Sequence, residues 1–394
     1  MKDRTESLRI VHSSHGKFHH QDLARQLFRL DVLERFFTGY PRAKLKSLGV
    51  PASLVHTYPW MEVPYHLGLR YRLLRGRLRR EMEWRKHESF DGWVARNLPE
   101  AHAYIGLSCA SLYAGQSIQQ RGGLYLCDRG SSHILTQDRL LAEEYARQGI
   151  PYQSIDPRVI EKEMAEYATA DAILVPSEFA RQSFLQQGVS EGRLRKVPYG
   201  ADLQRFFKDG NPSLDTFDVL FVGAVSIRKG VPDLLEAFAK LEHPRKRLRF
   251  VGAVSEEMQT FLARRRMDTA IEFLGPRPQD QLHGVMSSSH VLVLPSIEEG
   301  LALVQAQAMA CGCPVIASQH TGSVDLFTDG IEGYIVPIRS PDILAERLQC
   351  LADDPDKRQQ MGAAALQRVQ YIGGWDQYGD TIVTTIEELL HARH

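Results

Sequence analysis

No stretch of this 394-residue chain is apolar for long enough to cross a bilayer, and its first residues carry no apolar block of secretory-signal length. Cysteine is scarce: Cys109, Cys127, Cys311, Cys313 and Cys350 make an odd number, with no pair at the spacing of a zinc knuckle or a redox couple. That argues against a disulfide framework and leaves the thiols as small core residues of a reducing cytoplasm. Net charge is lacking too. Lys+Arg and Asp+Glu both total 48, so bulk charge makes no case for a nucleic-acid partner. There is no internal repeat, low-complexity tract, P-loop, Ser-His-Asp set or pyridoxal-phosphate lysine motif.

What is present is a long alternation. From Val219 onward, short apolar runs (Val219–Gly223, Leu248–Ala253, Ile271–Gly275, Val291–Pro295, Pro314–Ala317) are separated by amphipathic helical patterns such as Val231–Leu241 and Gln279–Ser289. Almost wholly apolar strands between helices predict a parallel sheet covered on both faces, with its ligand at the carboxyl ends of the strands. The first half alternates less regularly, with strands expected at Leu8–Val11, Ala103–Ser108, Gly123–Cys127, Ala172–Pro176 and Leu194–Pro198. The length allows two domains. The Pro- and Gly-bearing segment Val197–Phe207 is the expected linker, and the tail after Gly373-Gly374 reads as a terminal helix.

The most informative block is VLVLPSIEEGLALVQAQAMACGCPVIASQHTGSVDLFTDGIEGYIVP, Val291–Pro337. It reads as a buried strand, a Pro-Ser turn, a Glu-Glu-Gly loop, a helix from about Leu303 and a second strand. Such a loop sets carboxylates beside backbone N–H groups, the pairing that a nucleotide-activated sugar requires for its hydroxyls and its phosphates. The block resembles the donor-site signature of the family 4 glycosyltransferases, retaining enzymes of the GT-B fold. Their pattern runs Pro-Ser, two variable residues, Glu-Gly-Phe-Gly-Leu, then Glu-Ala-Met-Ala-Cys-Gly-x-Pro-Val-Ile-Ala. Of its two glutamates, the first falls on Glu299, and the second position holds Gln307 here. Eight helical steps span ~12 Å, enough for one side chain on a hexose and the other on a ribose.

The resemblance implies two Rossmann-like doubly wound domains facing a cleft: an acceptor-binding domain at 1–198, a nucleotide-sugar domain at 199–372, and a crossover helix at 373–394 anchored by Trp375 and Tyr378. It implies roles residue by residue. After the Val219–Gly223 strand, Lys229 and Gly230 would bind the diphosphate. Many members have arginine where this chain has Ala224, and Arg228 can supply that charge. Gly300, Leu301, Ala302 and Leu303 would offer backbone N–H groups, Glu299 would accept from hexose hydroxyls, and Gln307 would reach the ribose with an amide instead of a carboxylate. Pro276 and Arg277 would meet the nucleobase. In the first domain, Gly16 would let the backbone approach the diphosphate. His133, with Asp128 and Arg129 beside it, would bring an imidazole to the transferred sugar. His12, His15, His19 and His20 match no compact zinc spacing, and no metal or permanent cofactor is expected.

A basic run, His66–Phe90, carries Arg70, Arg72, Arg75, Arg77, Arg79, Arg80, Arg85 and Lys86 among leucines and Trp84. It reads as a partly amphipathic helix for an anionic membrane surface, or equally as a solvated charged face. The expectation is a cytoplasmic, metal-independent hexosyltransferase acting from a UDP or GDP sugar on a glycan or lipid-linked acceptor in surface polysaccharide biosynthesis, with no nucleic-acid partner. The alternatives are a non-catalytic partner, for which Ala224 and Gln307 argue, and a sugar-nucleotide epimerase of GT-B layout.

Overall fold

The computed structural model describes residues 8–16, 19–45, 47–71 and 73–393. Two wholly parallel sheets organise them. The first is built from β1 (Ile10–Ser14), β2 (Leu33–Thr38), β3 (Val55–Thr57), β4 (Ala103–Leu107), β5 (Leu124–Asp128), β6 (Ala172–Val175) and β7 (Leu194–Lys196), in the order β3-β2-β1-β4-β5-β6-β7. The second contains β8 (Phe217–Val222), β9 (Lys246–Val251), β10 (Ile271–Phe273), β11 (Val291–Leu294), β12 (Val315–Ser318) and β13 (Gly333–Val336), in the order β10-β9-β8-β11-β12-β13. The central strands are buried on both faces, which is why they read as unbroken apolar runs: Val219, Leu220, Phe221, Val291, Leu292, Val293 and Leu294 are all 0% exposed.

Both strand orders reverse beside the first strand of the sheet, and at such a switch point the flanking loops diverge and leave a crevice at the carboxyl edge. In the second sheet the switch lies between β8 and β11, so the loops Gly223–Gly230 and Pro295–Leu303 border one crevice. In the first sheet it lies between β1 and β4, bordered by the Gly16 loop and the Leu107–Ser111 turn. The strands β2, β3 and β13 escaped the sequence reading. Glu34 and Arg35 interrupt the apolar pattern of β2, β3 is three residues long, and β13 opens on Gly333.

The helix Trp375–His391 packs against His20–Arg29 beneath the first sheet. Gly379 permits the contact, since a Cβ there would lie 2.4 Å from Gln26 Cβ, and Arg29 holds Asp380 at 2.5 Å. Tyr378 is buried edge-on to Tyr199 with ring centres 5.9 Å apart, while Trp375 is half-buried against Tyr378. The chain therefore returns to its first domain, as a GT-B layout requires.

The basic run departs from expectation. It is not one helix but the end of Pro59–Arg70, a turn, and the first part of Gly76–Asn97. Gly68 lets Leu74 fold back over the first helix, because a Cβ there would meet Leu74 at 2.6 Å. Its later part faces inward: Lys86 is buried, 3.5 Å from Glu62 and over the Tyr65 ring, and His87 and Phe90 are buried beside it. Only the portion up to Arg80 presents a continuous basic surface, and Arg72 lies outside the described residues.

Candidate functional site

At the switch point of the second sheet the loop after β8 and the loop after β11 bring opposite charges together. Lys229 forms an ion pair with Glu299, and Arg228 Nη1 stands 3.4 Å from Glu299 Oε1 and donates to the Glu298 carbonyl at 2.7 Å. Burial pulls the Lys229 pKa down, and Glu299 opposes this only in part. Arg228 is held firmly charged, chiefly by Glu299. Gly223, with φ +146°, leaves the room over which the Lys229 side chain lies. Gly230 is left-handed at φ +67°, and a Cβ there would sit 1.9 Å from the Pro295 carbonyl, so no other residue closes this turn against the β11 loop.

The run Gly300–Leu303 only partly matches its expected role as a set of open N–H donors. The Ala302 N–H already donates to the Thr321 carbonyl at 3.1 Å, and the Gly300 carbonyl accepts from Ser177 Oγ at 2.6 Å. Leu301 and Ala302 are buried. Gln307 is half-buried. Pro276 and Arg277 are exposed beyond β10, at the same carboxyl edge as the charged loops.

Glu298, to which the sequence reading gave no role, is the residue that ties the domains together. Its fully buried carboxylate accepts from Ser131 Oγ at 2.5 Å, Ser132 Oγ at 2.8 Å, the Ser132 N–H at 3.1 Å and Gln137 Nε2 at 3.0 Å, all from the first domain. Burial alone would raise its pKa, but Arg228 and these donors outweigh it and hold the group below its ordinary value. Around this latch the domains meet backbone to backbone, and a Cβ on Gly300 would lie 2.0 Å from the Gly130 carbonyl. Further ties are Lys196 to Asp325 at 2.8 Å, Arg339 to Glu144 at 3.0 Å, and Phe179 stacked on His320 at 4.2 Å. The signal for Glu298 was the Glu-Glu doublet before Gly300, of which the family pattern uses only the second member.

His133 is displaced from the role expected of it. It is 0% exposed, N-caps the helix Ile134–Arg147, and lies between the rings of Tyr167 and Phe184 at 5.0 and 4.9 Å. Apolar packing has claimed the ring, and burial lowers its pKa to about 4. The imidazole that meets Asp128 is His19, whose Nε2 is 2.7 Å from Asp128 Oδ2, with His20 Nδ1 at 3.6 Å from the same oxygen. These three are the only metal-capable cluster among the described residues. Two nitrogen or oxygen ligands of one tetrahedral zinc stand about 3.3 Å apart, so the 2.7 Å contact is a direct hydrogen bond. Arg129 braces the same loop from within, bonding Glu163, Gln137 and the Ser132 carbonyl.

At the carboxyl edge of the first sheet lies a cavity of about 860 Å³. It is lined by Ser108, Cys109, Arg129, His15, His87, Arg75 and Arg79 among others, with Glu256 contributed by the second domain. Gly16 follows His15 of this lining, and a Cβ on it would meet nothing closer than Ser14 Oγ at 3.9 Å. Cys109 holds a left-handed φ of +71°, with its N–H on Glu166 at 2.5 Å. Burial takes His15 down to about 3 and pushes Glu166 up to about 8.

Residues 203–368 match the model of the family described as glycosyl transferases group 1. Among curated relatives, the D-inositol 3-phosphate glycosyltransferase of Corynebacterium jeikeium is 28% identical over 261 residues, 60% of this chain and 61% of that protein. The protein of the same description from Kribbella flavida is 30% identical over 234 residues, 54% of this chain and 55% of its own length. The chain thus spans a little over half the length of the curated relatives it matches. In fold it is similar to sucrose-phosphate synthase from Thermosynechococcus elongatus (TM-score 0.72, 22% identity, 98% of this chain and 100% of that one). It is also similar to Anabaena Alr3699/HepE, solved with UDP and glucose (TM-score 0.70, 16% identity, 97% of this chain and 100% of that one). This chain is therefore similar to the family 4 glycosyltransferases, with its group 1 match at residues 203–368, and its fold is of GT-B type.

Proposed function

We propose that the protein transfers a hexose from a nucleoside-diphosphate sugar, UDP before GDP, to a hydroxyl of a glycan or lipid-linked acceptor, with retention of configuration. The observation that carries this reading is the Arg228–Lys229–Glu299 constellation at the switch point of the second sheet. It joins fixed positive charge for a diphosphate to a carboxylate for sugar hydroxyls, at the place where a doubly wound sheet binds its ligand. The UDP and glucose bound by the Anabaena protein favour a uridine donor. The domain limits follow the same reading: an acceptor domain to residue 198, a donor domain from 199 to 372, and the crossover helix beyond.

In the chemistry proposed, Lys229 leaves Glu299 for the diphosphate, whose charge restores the full basicity that burial takes from the lysine. Glu299, released, accepts hydrogen bonds from the hexose. The bond from the anomeric carbon to the phosphate oxygen breaks, and the bond to the acceptor oxygen forms on the same face. The acceptor proton passes to the departing phosphate oxygen, leaving the nucleoside diphosphate and the glycoside. Arg228 and Lys229 stabilise the leaving charge, worth several kcal/mol in a dry site. No side chain serves as a covalent nucleophile and no metal enters the scheme. The acceptor occupies the cavity above Ser108 and Arg129. The setting is the cytoplasm, in the assembly of surface polysaccharide.

The test is thermal stabilisation by UDP, UDP-glucose and GDP sugars, in wild type, Lys229→Ala and Glu299→Ala, followed by turnover with the stabilising donor. Stabilisation that both variants lose supports the reading. No shift with any nucleotide overturns it. Binding without turnover moves the assignment to a non-catalytic partner, the reading that Ala224 and Gln307 favour.

A further inference from the structure

Sixteen large apolar side chains are exposed among the described residues, and six of them crowd into one corner of the first domain: Trp60, Val63, Leu67, Tyr71, Leu73 and Leu78. Four follow a single helical face. Trp60, Val63, Leu67 and Tyr71 are spaced three, four and four residues apart along Pro59–Arg70 and its cap, and are 76%, 37%, 45% and 64% exposed. The face turned to the protein carries Glu62, Tyr65 and Gly68. The helix is thus inverted. It buries a carboxylate and a glycine and turns a tryptophan, a valine, a leucine and a tyrosine to solvent, an arrangement that marks a surface with a partner.

The charge around the stripe indicates which partner. Arg70, Arg75, Arg77 and Arg79 are exposed and Arg80 half-exposed, and no aspartate or glutamate occurs from Val63 to Arg80. An apolar ridge with aromatic ends and a wholly cationic rim matches the boundary of an anionic bilayer, where apolar side chains sink below the head groups and arginines meet the phosphates. The same turn shapes the cavity of the first domain, since Leu69, Leu74, Arg75, Arg79 and Trp84 line it. We propose that the corner Trp60–Arg80 docks on the surface of an anionic phospholipid membrane, with the mouth of the cavity set at that surface. This docking does not depend on the transfer chemistry, and it replaces the 66–90 segment of the sequence reading with one that begins earlier and ends sooner.

The test uses the full-length protein with sedimenting vesicles of phosphatidylcholine alone or mixed with phosphatidylglycerol. Wild type is expected on the anionic vesicles, poorly on the neutral ones, and less in 0.5 M salt, a concentration chosen to screen the arginines to about 4 Å. Leu67→Glu with Tyr71→Glu, and separately Arg70→Glu with Arg77→Glu, are each expected to weaken partitioning at least ~10-fold. All four residues lie outside the donor and acceptor sites, so melting temperature and UDP-sugar stabilisation are expected to stay at wild-type values, which shows that the variants fold. Failure of wild type to bind anionic vesicles overturns the proposal, as does equal binding to both compositions. A concentration-dependent dimer that Leu67→Glu dissociates, without vesicle binding, also overturns it and gives the stripe to a second copy of the chain.

Discussion

Replacing Glu298 by glutamine is the most searching perturbation of this molecule, because it keeps the volume of a fully buried side chain while removing its charge and one of its two acceptor oxygens. In the native protein the carboxylate accepts four hydrogen bonds of 2.5–3.1 Å from Ser131, Ser132 and Gln137, with Arg228 3.7 Å away. Glutamine has one carbonyl for those donors and adds an amide that faces some of them. Breaking a buried charged network of this kind costs about 3–5 kcal/mol. Every one of the four donors lies on the other domain, so the loss falls on the closed arrangement and spares the fold of each half. At ~3 kcal/mol the closed-to-open ratio drops about 150-fold, and donor affinity falls toward that limit if only the closed form holds donor well. Calorimetric titration with UDP-glucose reads the affinity, and solution scattering reads the expected increase in radius. The pH dependence has a definite sign. The folded pKa is depressed, so the contribution is present above the unfolded value of about 4.3 and is lost as pH falls through the folded one. The gap between wild type and Glu298→Gln is therefore full at pH 7 and closes below about pH 4. Donor affinity within twofold of wild type, an unchanged radius, and additivity with Ser132→Ala would together refute the latch.

Two further outcomes follow from the packing. Gly300→Ala puts a Cβ 2.0 Å from the Gly130 carbonyl, a backbone atom that cannot swing aside, while Gly300 itself has no left-handed φ. The variant is expected to fold with a near-native far-UV spectrum but to lose at least ~100-fold in turnover, because a misplaced closure of ~1 Å is enough for that; native turnover would show that closure at this point is not required. Glu166, raised to about 8 by burial and by Glu163, binds a proton in the folded state that the unfolded chain releases near pH 4.3. It therefore draws stability from the protein as pH rises from about 4.3 to 8, and Glu166→Gln is expected to gain on wild type across that window in chemical denaturation.

Sequence alone determined the layout of the second half. Five of its six strands were legible because a parallel sheet buried on both faces leaves unbroken apolar runs, β13 escaping because it opens on Gly333, and Arg228, Lys229 and Glu299 were legible because they sit in loops punctuated by Gly223, Gly230 and Gly300. The first half was only half legible: β2 and β3 carry mixed or very short patterns, and nothing local distinguishes His133 in a core from His133 in a cleft. That distinction rests on Tyr167 and Phe184, which lie 34 and 51 residues further along and close on the ring only after folding. The Glu298 latch, the meeting of Gly300 with Gly130 and the inverted helix behind Trp60 are likewise properties of contact between distant segments. One-dimensional patterns report which face of an element is apolar. They do not report what that face meets, and the site between the domains is made of such meetings.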